Sequence, residues 1–350
     1  MLEQLHPIVR EDISAIIEAQ LPWGLLENRT VLITGANGFL ANYLFLTLLA
    51  LNDNRKLNMH LIALVRDADR ALTRFGSLLK RGDVTTLVQD VAQPIPSSMR
   101  PNFLIHAASQ ASPKFYLTDP VGTIAANTLG THNILQHAVQ CNAERVLFFS
   151  SSEVYGDTSQ YSAIEELKFG PLDPAFARNC YAEGKRAGEA MCVAFYKQFN
   201  LNSYIVRPFH TYGPGMDLYD GRVFADFVRH VVSCSNIEIH SDGRAKRAFC
   251  YLRDATEGFL RVLLTGEPAV AYNIGNPQEE YSVRELAELL VQAFPERNLK
   301  VYMVAASSMI KESQSLVSRI LPDITRARGL GWQPKMTAHE GFSRTVRSFE

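Results

Sequence analysis

Between residues 30 and 206 the chain alternates short β-branched or aromatic runs with helical stretches, and that rhythm admits few folds. Strands are predicted at 30–33, 60–65, 85–88, 103–106, 145–150 and 203–206, with helices between them, notably over 40–51, 121–139 and 181–199. Parallel neighbours need a crossover connection, and a helix supplies it, so repeated strand–helix units build a parallel sheet covered on both faces. The expected class is α/β with a doubly wound parallel sheet.

Past Pro208 the rhythm breaks. A loop-rich stretch over 210–221 leads to a helix, an edge-like strand and a charged loop over 242–247. Ser282 and Glu285 have capping-box spacing and open a helix running to about residue 294. Residues 1–28 read as an amphipathic leader, with Ile13, Ile16, Ile17 and Leu21 at roughly helical spacing, a helix covering the edge of the main domain. The expected organisation is a leader (1–28), a Rossmann cofactor domain (29–208) and a smaller C-terminal substrate domain (209–350), some of whose segments return to the first.

With 47% hydrophobic residues among 350, the chain can bury a large core. Lys plus Arg number 35 against 36 Asp plus Glu, so neither a nucleic acid nor an anionic membrane is expected as main partner. No apolar run reaches the roughly 20 residues of a membrane span. Glu3, Arg10, Glu11 and Asp12 exclude the apolar segment of a secretory signal. The cysteines (Cys141, Cys180, Cys192, Cys234, Cys250) have neither metal-ligand spacing nor the density of a disulfide framework, so a reducing cytoplasm and no metal are expected.

The first strand runs into Thr34-Gly35-Ala36-Asn37-Gly38-Phe39-Leu40-Ala41 and then a helix. A glycine turn at this junction lets backbone approach a pyrophosphate, and the helix N-terminus offers free N–H groups and a positive dipole end. Asp90, followed by Val91, comes after the third strand, where a carboxylate can accept from an adenine amino group. His106-Ala107-Ala108 ends the fourth, where small residues let a cofactor lie across the sheet edge. At the end of the second strand Arg66 could bind the 2′-phosphate of NADP, or Asp67 the ribose hydroxyl of NAD; both stay open.

Tyr181 and Lys185 stand four residues apart on a helix and share a face. A phenol is a poor base at neutral pH, but an adjacent ammonium and a nicotinamide cation can lower its pKa, so that it takes an alcohol proton as hydride leaves the same carbon. About 30 residues earlier a strand ends in Ser150-Ser151-Ser152-Glu153, which completes the constellation.

With these residues in place the chain resembles the extended short-chain dehydrogenase family of nucleotide-sugar epimerases, dehydratases and decarboxylases, from about Asn28 to Phe349. Within it the chain looks most like the UDP-glucuronate decarboxylase branch, on Ala111-Ser-Pro-Lys-Phe-Tyr116, Asn127-Thr-Leu-Gly-Thr131, Ser151-Ser-Glu-Val-Tyr-Gly156, Cys180-Tyr-Ala-Glu-Gly-Lys-Arg186, Asp220-Gly-Arg-Val223, Arg247-Ala-Phe249 and Gly331-Trp332. The resemblance implies Ser151 as partner of the sugar hydroxyl being oxidised, Tyr181 as base, Lys185 as its modulator and Glu153 beside sugar carbons 5 and 6. It implies Asn127 at the cofactor, Ser109, Ser112, His210, Arg222 and Arg247 at a nucleotide-sugar substrate, and a homodimer. Ser152 is too weak an acid to expel a hydroxyl, which favours decarboxylation over a 4,6-dehydratase reaction, with 4-epimerisation further off. His210 in place of Asn, Gly215 in place of Arg and Asp226 in place of Asn depart from the branch where the substrate is read. A catalytically idle dinucleotide-binding sensor is the alternative of another class; an intact Ser151, Tyr181 and Lys185 set argues against it.

Overall fold

The computed structural model describes residues 2–304 and 318–350. Seven parallel strands form the central sheet, in the order Ala271–Ile274, Ser203–Pro208, Arg145–Phe149, Phe103–His106, Thr30–Thr34, His60–Val65 and Val84–Val88. Strand order reverses at Thr30–Thr34, and such a switch opens a crevice at the strands' carboxyl ends. Val31, Leu32 and Ile33 have 0% exposure, an unbroken apolar run, because helices cover both faces. The six predicted strands are present, each end within two residues of the expected one. The seventh, Ala271–Ile274, was not foreseen: it comes from past Pro208 and pairs with Ser203–Pro208.

Helix Phe39–Arg55 is buried at every residue from Ala41 to Leu51. It has no solvent stripe because it lies against the sheet, the leader helix Pro7–Ile17 and helix Leu252–Thr265. The leader is broken rather than continuous. The His6 ring accepts from the Ile8 N–H at 3.3 Å, Pro7 opens the helix, and Ile13, Ile16 and Ile17 are buried. Pro22 disfavours helical backbone at Leu21, which falls outside the helix, and the short turn Trp23–Leu26 completes the packing.

A second core gathers Phe224, Phe227, Leu286, Leu290, Phe342 and Tyr251. Its middle strand, Lys246–Tyr251, pairs parallel with His210–Tyr212 and Arg319–Ile320 and antiparallel with Glu280–Ser282. The predicted capping box opens helix Val283–Ala293: Ser282 accepts from the Glu285 N–H at 3.1 Å and Glu285 from the Ser282 N–H at 2.7 Å.

Candidate active site

Two glycines shape the first strand–helix junction. Gly35 holds φ at +62°, and a Cβ there would lie 2.9 Å from Ala108 Cα at the end of the adjacent strand. Gly38 is the N-cap of helix Phe39–Arg55 and lends it no side chain; a Cβ there would meet the Gly35 carbonyl oxygen at 3.0 Å. The N–H groups of a long buried helix therefore open on a cradle walled by backbone. A pyrophosphate fits it because no side chain fills it. Asn37, Phe39 and Leu40 stand partly exposed around it.

Under the cradle lies a closed relay that the sequence did not signal. Thr131 donates to the Asn127 carbonyl at 2.7 Å, so its oxygen accepts from His106 Nε2–H at 3.1 Å. His106 Nδ1 is then an acceptor for the Thr34 hydroxyl at 2.9 Å, and Thr34 accepts from the Ala108 N–H at 3.0 Å. Burial pushes His106 down to about 3, with Lys185 adding to the effect. A neutral imidazole thus pins Ala108 beside Gly35. Asn127 is fully buried and accepts from Ser109 at 2.9 Å.

The remaining cofactor candidates are more dispersed. Val91 is buried, and Asp90, half-buried, accepts from its own loop at the Ala92 N–H, 2.8 Å. Ala107 lines the cleft. Arg66 is exposed at the end of His60–Val65. Asp67 is the N-cap of helix Ala68–Phe75, where one carboxylate oxygen accepts from the Arg70 N–H at 2.9 Å.

The catalytic candidates converge. Strand Arg145–Phe149 ends below Ser151, whose hydroxyl accepts from the Glu153 N–H at 3.2 Å and lies near enough to Tyr181 to favour its ionised form. One helical turn from Tyr181, Lys185 is 2% exposed and donates to the Phe149 carbonyl at 2.6 Å, its Nζ 5.8 Å from the Tyr181 ring centroid. Burial pulls Lys185 down to about 7. In the free protein, without the nicotinamide cation that the expected lowering invokes, burial pushes Tyr181 up to about 12, and Ser151 pulls the other way. Two further residues join the group unforeseen. Tyr116 stacks on Tyr181 with centroids 4.8 Å apart, and Arg178, on the short turn Ala177–Asn179, lies 3.5 Å from the Glu153 carboxylate and over the Tyr116 ring. Tyr116 stood in a quoted motif without a role; Arg178, three residues before Tyr181, carried no signal.

This geometry coincides with a sequence match: the profile of the NAD dependent epimerase/dehydratase family covers residues 31–275. The chain belongs to that family. UDP-glucuronic acid decarboxylase 1 of Xenopus tropicalis is 32% identical over 92% of this chain and 72% of its own length. UDP-glucuronic acid decarboxylase 6 of Arabidopsis thaliana is 33% identical, over 92% and 89%. Among solved structures, the UDP-glucose 4-epimerase of Thermotoga maritima with UDP-glucose superposes with a TM-score of 0.77 at 21% identity, covering 91% of this chain and 98% of that one. The UDP-glucuronic acid 4-epimerase of Bacillus cereus, in complex with UDP-glucuronic acid and NAD, gives 0.77 at 20% identity with the same coverage. At that identity the likeness is one of fold. Family membership assigns NAD as the cofactor, and the glycine cradle fits it.

In this NAD dependent epimerase/dehydratase family member the cleft, about 1680 Å³, continues from the cradle past Ser151, Ser152 and Glu153 to a far side where Arg222, Arg229, Arg244 and Arg247 alternate with Asp226, Glu238 and Asp242. Arg247 comes from strand Lys246–Tyr251 and donates to the Ser318 carbonyl at 3.3 Å; burial pulls it down to about 10, against the attraction of Glu153. Arg222 pairs with Asp220 at 3.3 Å and donates to the Ala111 carbonyl at 3.1 Å. Ser112 donates to the Asp220 carbonyl at 2.6 Å, so its hydroxyl proton is already engaged. His210 packs edge-on to Phe224 and Phe249, and its Nδ1 has no partner. Burial holds it well below the usual imidazole range, and Arg247 and Arg222 push the same way. Asp226 engages Arg229 at 3.2 Å. Gly215 has its own reason: φ is +78°, and Arg74 donates to its carbonyl at 2.7 Å where a Cβ would stand 2.8 Å from Arg74 Nη2.

Proposed function

We propose that this protein decarboxylates a nucleotide-linked uronic acid, UDP-glucuronate, by oxidation at C4, loss of CO2 and return of the hydride. The observation that carries this reading is Glu153 beside Ser151 and Tyr181, with the Arg178 guanidinium 3.5 Å away and Arg247 within electrostatic reach. A uronate brings a second carboxylate towards Glu153. Two such charges 4 Å apart repel by about 4 kcal/mol at an effective dielectric constant of 20, and two nearby guanidinium groups offset that. A neutral hexose needs no such pair.

Bound NAD supplies the hydride acceptor for C4. Tyr181 as phenolate takes the C4 hydroxyl proton, Ser151 hydrogen-bonds the same oxygen, and the Lys185 ammonium favours the ionised phenol. The resulting 4-ketone is β to the C6 carboxylate. The C5–C6 bond breaks with its electron pair flowing through C5 into the C4 carbonyl, which releases CO2 and leaves an enolate. A solvent proton at C5 restores the ketone, and Tyr181 returns its proton to the C4 oxygen as the ketone is reduced. Ser152, unlike a carboxylic acid, cannot protonate a departing hydroxyl, which disfavours water loss. In this reading Gly35, Gly38, Asp90 and Asn127 serve the cofactor side, and Ser109, Ser112, His210, Arg222 and Arg247 serve the nucleotide sugar. Residues 29–208 and 209–350 divide the labour accordingly, with Ala271–Ile274 returning to the first sheet.

A homodimer accompanies the proposal. Helices Pro120–Gln140 and Cys180–Phe199 present Val121, Ile124, Leu129 and Val193 to solvent, with Val121 75% exposed, an apolar surface that a second copy would cover. Five free thiols support a reducing, cytoplasmic setting, and no helix among the described residues is long and apolar enough to cross a membrane. The test is mass spectrometry of products from a panel of UDP-, dTDP-, GDP- and CDP-sugars that includes UDP-glucuronate. Loss of 44 Da, about one CO2, is expected from the uronate. Loss of water, or an unchanged mass with inverted C4, would overturn the reading.

A further inference from the structure

The leader lies before the segment that carries the family match, yet it supplies the most buried carboxylate of a junction between three distant elements. Asp12, on helix Pro7–Ile17, is 1% exposed. Its Oδ2 accepts from the Tyr43 hydroxyl at 3.2 Å and the Tyr251 hydroxyl at 2.6 Å, and its Oδ1 accepts from Arg344 at 2.9 Å. Arg344 also donates to Glu11 at 2.9 Å and to the Ile8 carbonyl at 3.1 Å.

Each partner leads to a different part of the cleft. Tyr43 sits on the helix that begins at the cofactor cradle, five residues and so about 7–8 Å along the axis from Gly38. Tyr251 ends the strand that carries Arg247, four residues and about 13 Å away. The same strand pairs with His210–Tyr212, Tyr212 opposite Tyr251 and His210 opposite Phe249. Arg344 belongs to the terminal helix Ala338–Arg347, whose Phe342 stacks on Tyr212 with centroids 3.8 Å apart. One carboxylate therefore ties the element that holds the cofactor to the strand pair that presents Arg247 and His210. Packed apolar side chains would fill such a junction at less desolvation penalty, but they accept many geometries, whereas three directed hydrogen bonds accept one. Burial pushes the Asp12 carboxyl up, and the Tyr251 hydrogen bond and the Arg344 and Arg253 charges pull it back.

We infer that Asp12 is a positioning residue: it sets the distance between the cofactor cradle and the Arg247 strand, and thereby the affinity for the nucleotide sugar. This rests on the reading of the cleft as a nucleotide-sugar site. The experiment compares wild type and Asp12→Asn, both carrying NAD, in UDP binding by titration calorimetry and in KM and kcat for UDP-glucuronate, well below the melting temperature. Asp12→Asn should raise the UDP dissociation constant and KM about tenfold and keep NAD, with kcat falling less than KM rises, since the cradle and the Ser151, Tyr181 and Lys185 set stay in place. A purely structural role would lower the melting temperature and leave KM unmoved, and that result overturns the inference. Should Asp12→Asn fail to fold, Tyr251→Phe, which removes one hydroxyl on the Arg247 side, decides in the same way: a raised KM supports it and an unchanged KM overturns it. Wild type that binds no UDP would overturn the functional reading and this inference with it; wild type that binds UDP no better than Asp12→Asn overturns this inference alone.

Discussion

The two sides of the cleft are built on opposite principles. On the cofactor side, polar groups are closed on one another: the chain from Ala108 through Thr34, His106 and Thr131 to Asn127 uses every hydroxyl and ring nitrogen it contains. On the substrate side, buried nitrogens stand without partners. Among the described residues, Arg178 Nε, His210 Nδ1, Arg229 Nε and His230 Nδ1 are such atoms and belong to residues that line the cleft, while His137 and Arg261 carry others outside it. Buried polar atoms left unpaired cost about 1–3 kcal/mol each, so a protein keeps them where something else relieves the penalty. On the closed side every polar group of this relay is already committed to a neighbour. The open side interleaves arginines with carboxylates, Arg178 with Glu153, Arg222 with Asp220 and Arg229 with Asp226, and leaves nitrogen atoms of Arg178, Arg229 and two neutral imidazoles free to meet a ligand.

Tyr181 stands on the seam, and its replacement gives the largest expected effect. Tyr181→Phe should lower kcat about 10²–10⁴-fold while leaving both NAD and nucleotide-sugar binding nearly intact. Steady-state kinetics with calorimetric binding checks this; a variant keeping more than about a tenth of the rate would remove the phenol from the mechanism.

Gly35→Val attacks the closed side alone. At φ +62° a β-branched residue is strained, and its Cβ would meet Ala108. NAD affinity should fall about a hundredfold or more, read by fluorescence titration of the folded variant, with UDP binding nearly unchanged. Equal losses of both ligands would erase the distinction between the two sides.

Arg178→Gln attacks the open side. KM for UDP-glucuronate should rise about 10–100-fold, and the affinity for UDP-glucose, which lacks the carboxylate, should change little, because an uncompensated carboxylate pair is what the variant creates. Parallel losses for both sugars would show that Arg178 only packs on Tyr116.

The smallest effect sharpens the picture of the closed side. His106 has a folded pKa of about 3 against an ordinary 6.5, so between those values only the unfolded chain takes up the proton. The stability from this group is complete above pH 6.5 and is lost as pH falls, by at most about 1.4 kcal/mol for each pH unit. The melting temperature of wild type should therefore drop faster between pH 6.5 and 5.5 than that of His106→Gln, which cannot titrate. Superimposable pH profiles would mean that His106 is not a buried neutral ring.

The sequence by itself determined what local backbone geometry encodes. The strand–helix alternation, Gly35 and Gly38 at the first junction, the one-turn spacing of Tyr181 and Lys185 and the Ser282–Glu285 box could all be read because each signal spans a few residues and has a period or a steric rule behind it. The sequence could also place Ser151 and Glu153 near Tyr181, since the rhythm puts strand ends and helix starts on one edge. Only the tertiary structure decided which charges meet. Tyr116 reaches Tyr181 across 65 positions, Arg344 reaches Asp12 across 332, and strand Ala271–Ile274 closes a sheet begun at Thr30. Asp67 shows the same limit at short range, since its cap on the next helix comes from folded backbone geometry. Burial, too, belongs to the folded state: it pushes Tyr181 up in the free protein and keeps His106 neutral. Desolvation depends on how many atoms surround a group from every direction, and a linear sequence records neighbours in only one.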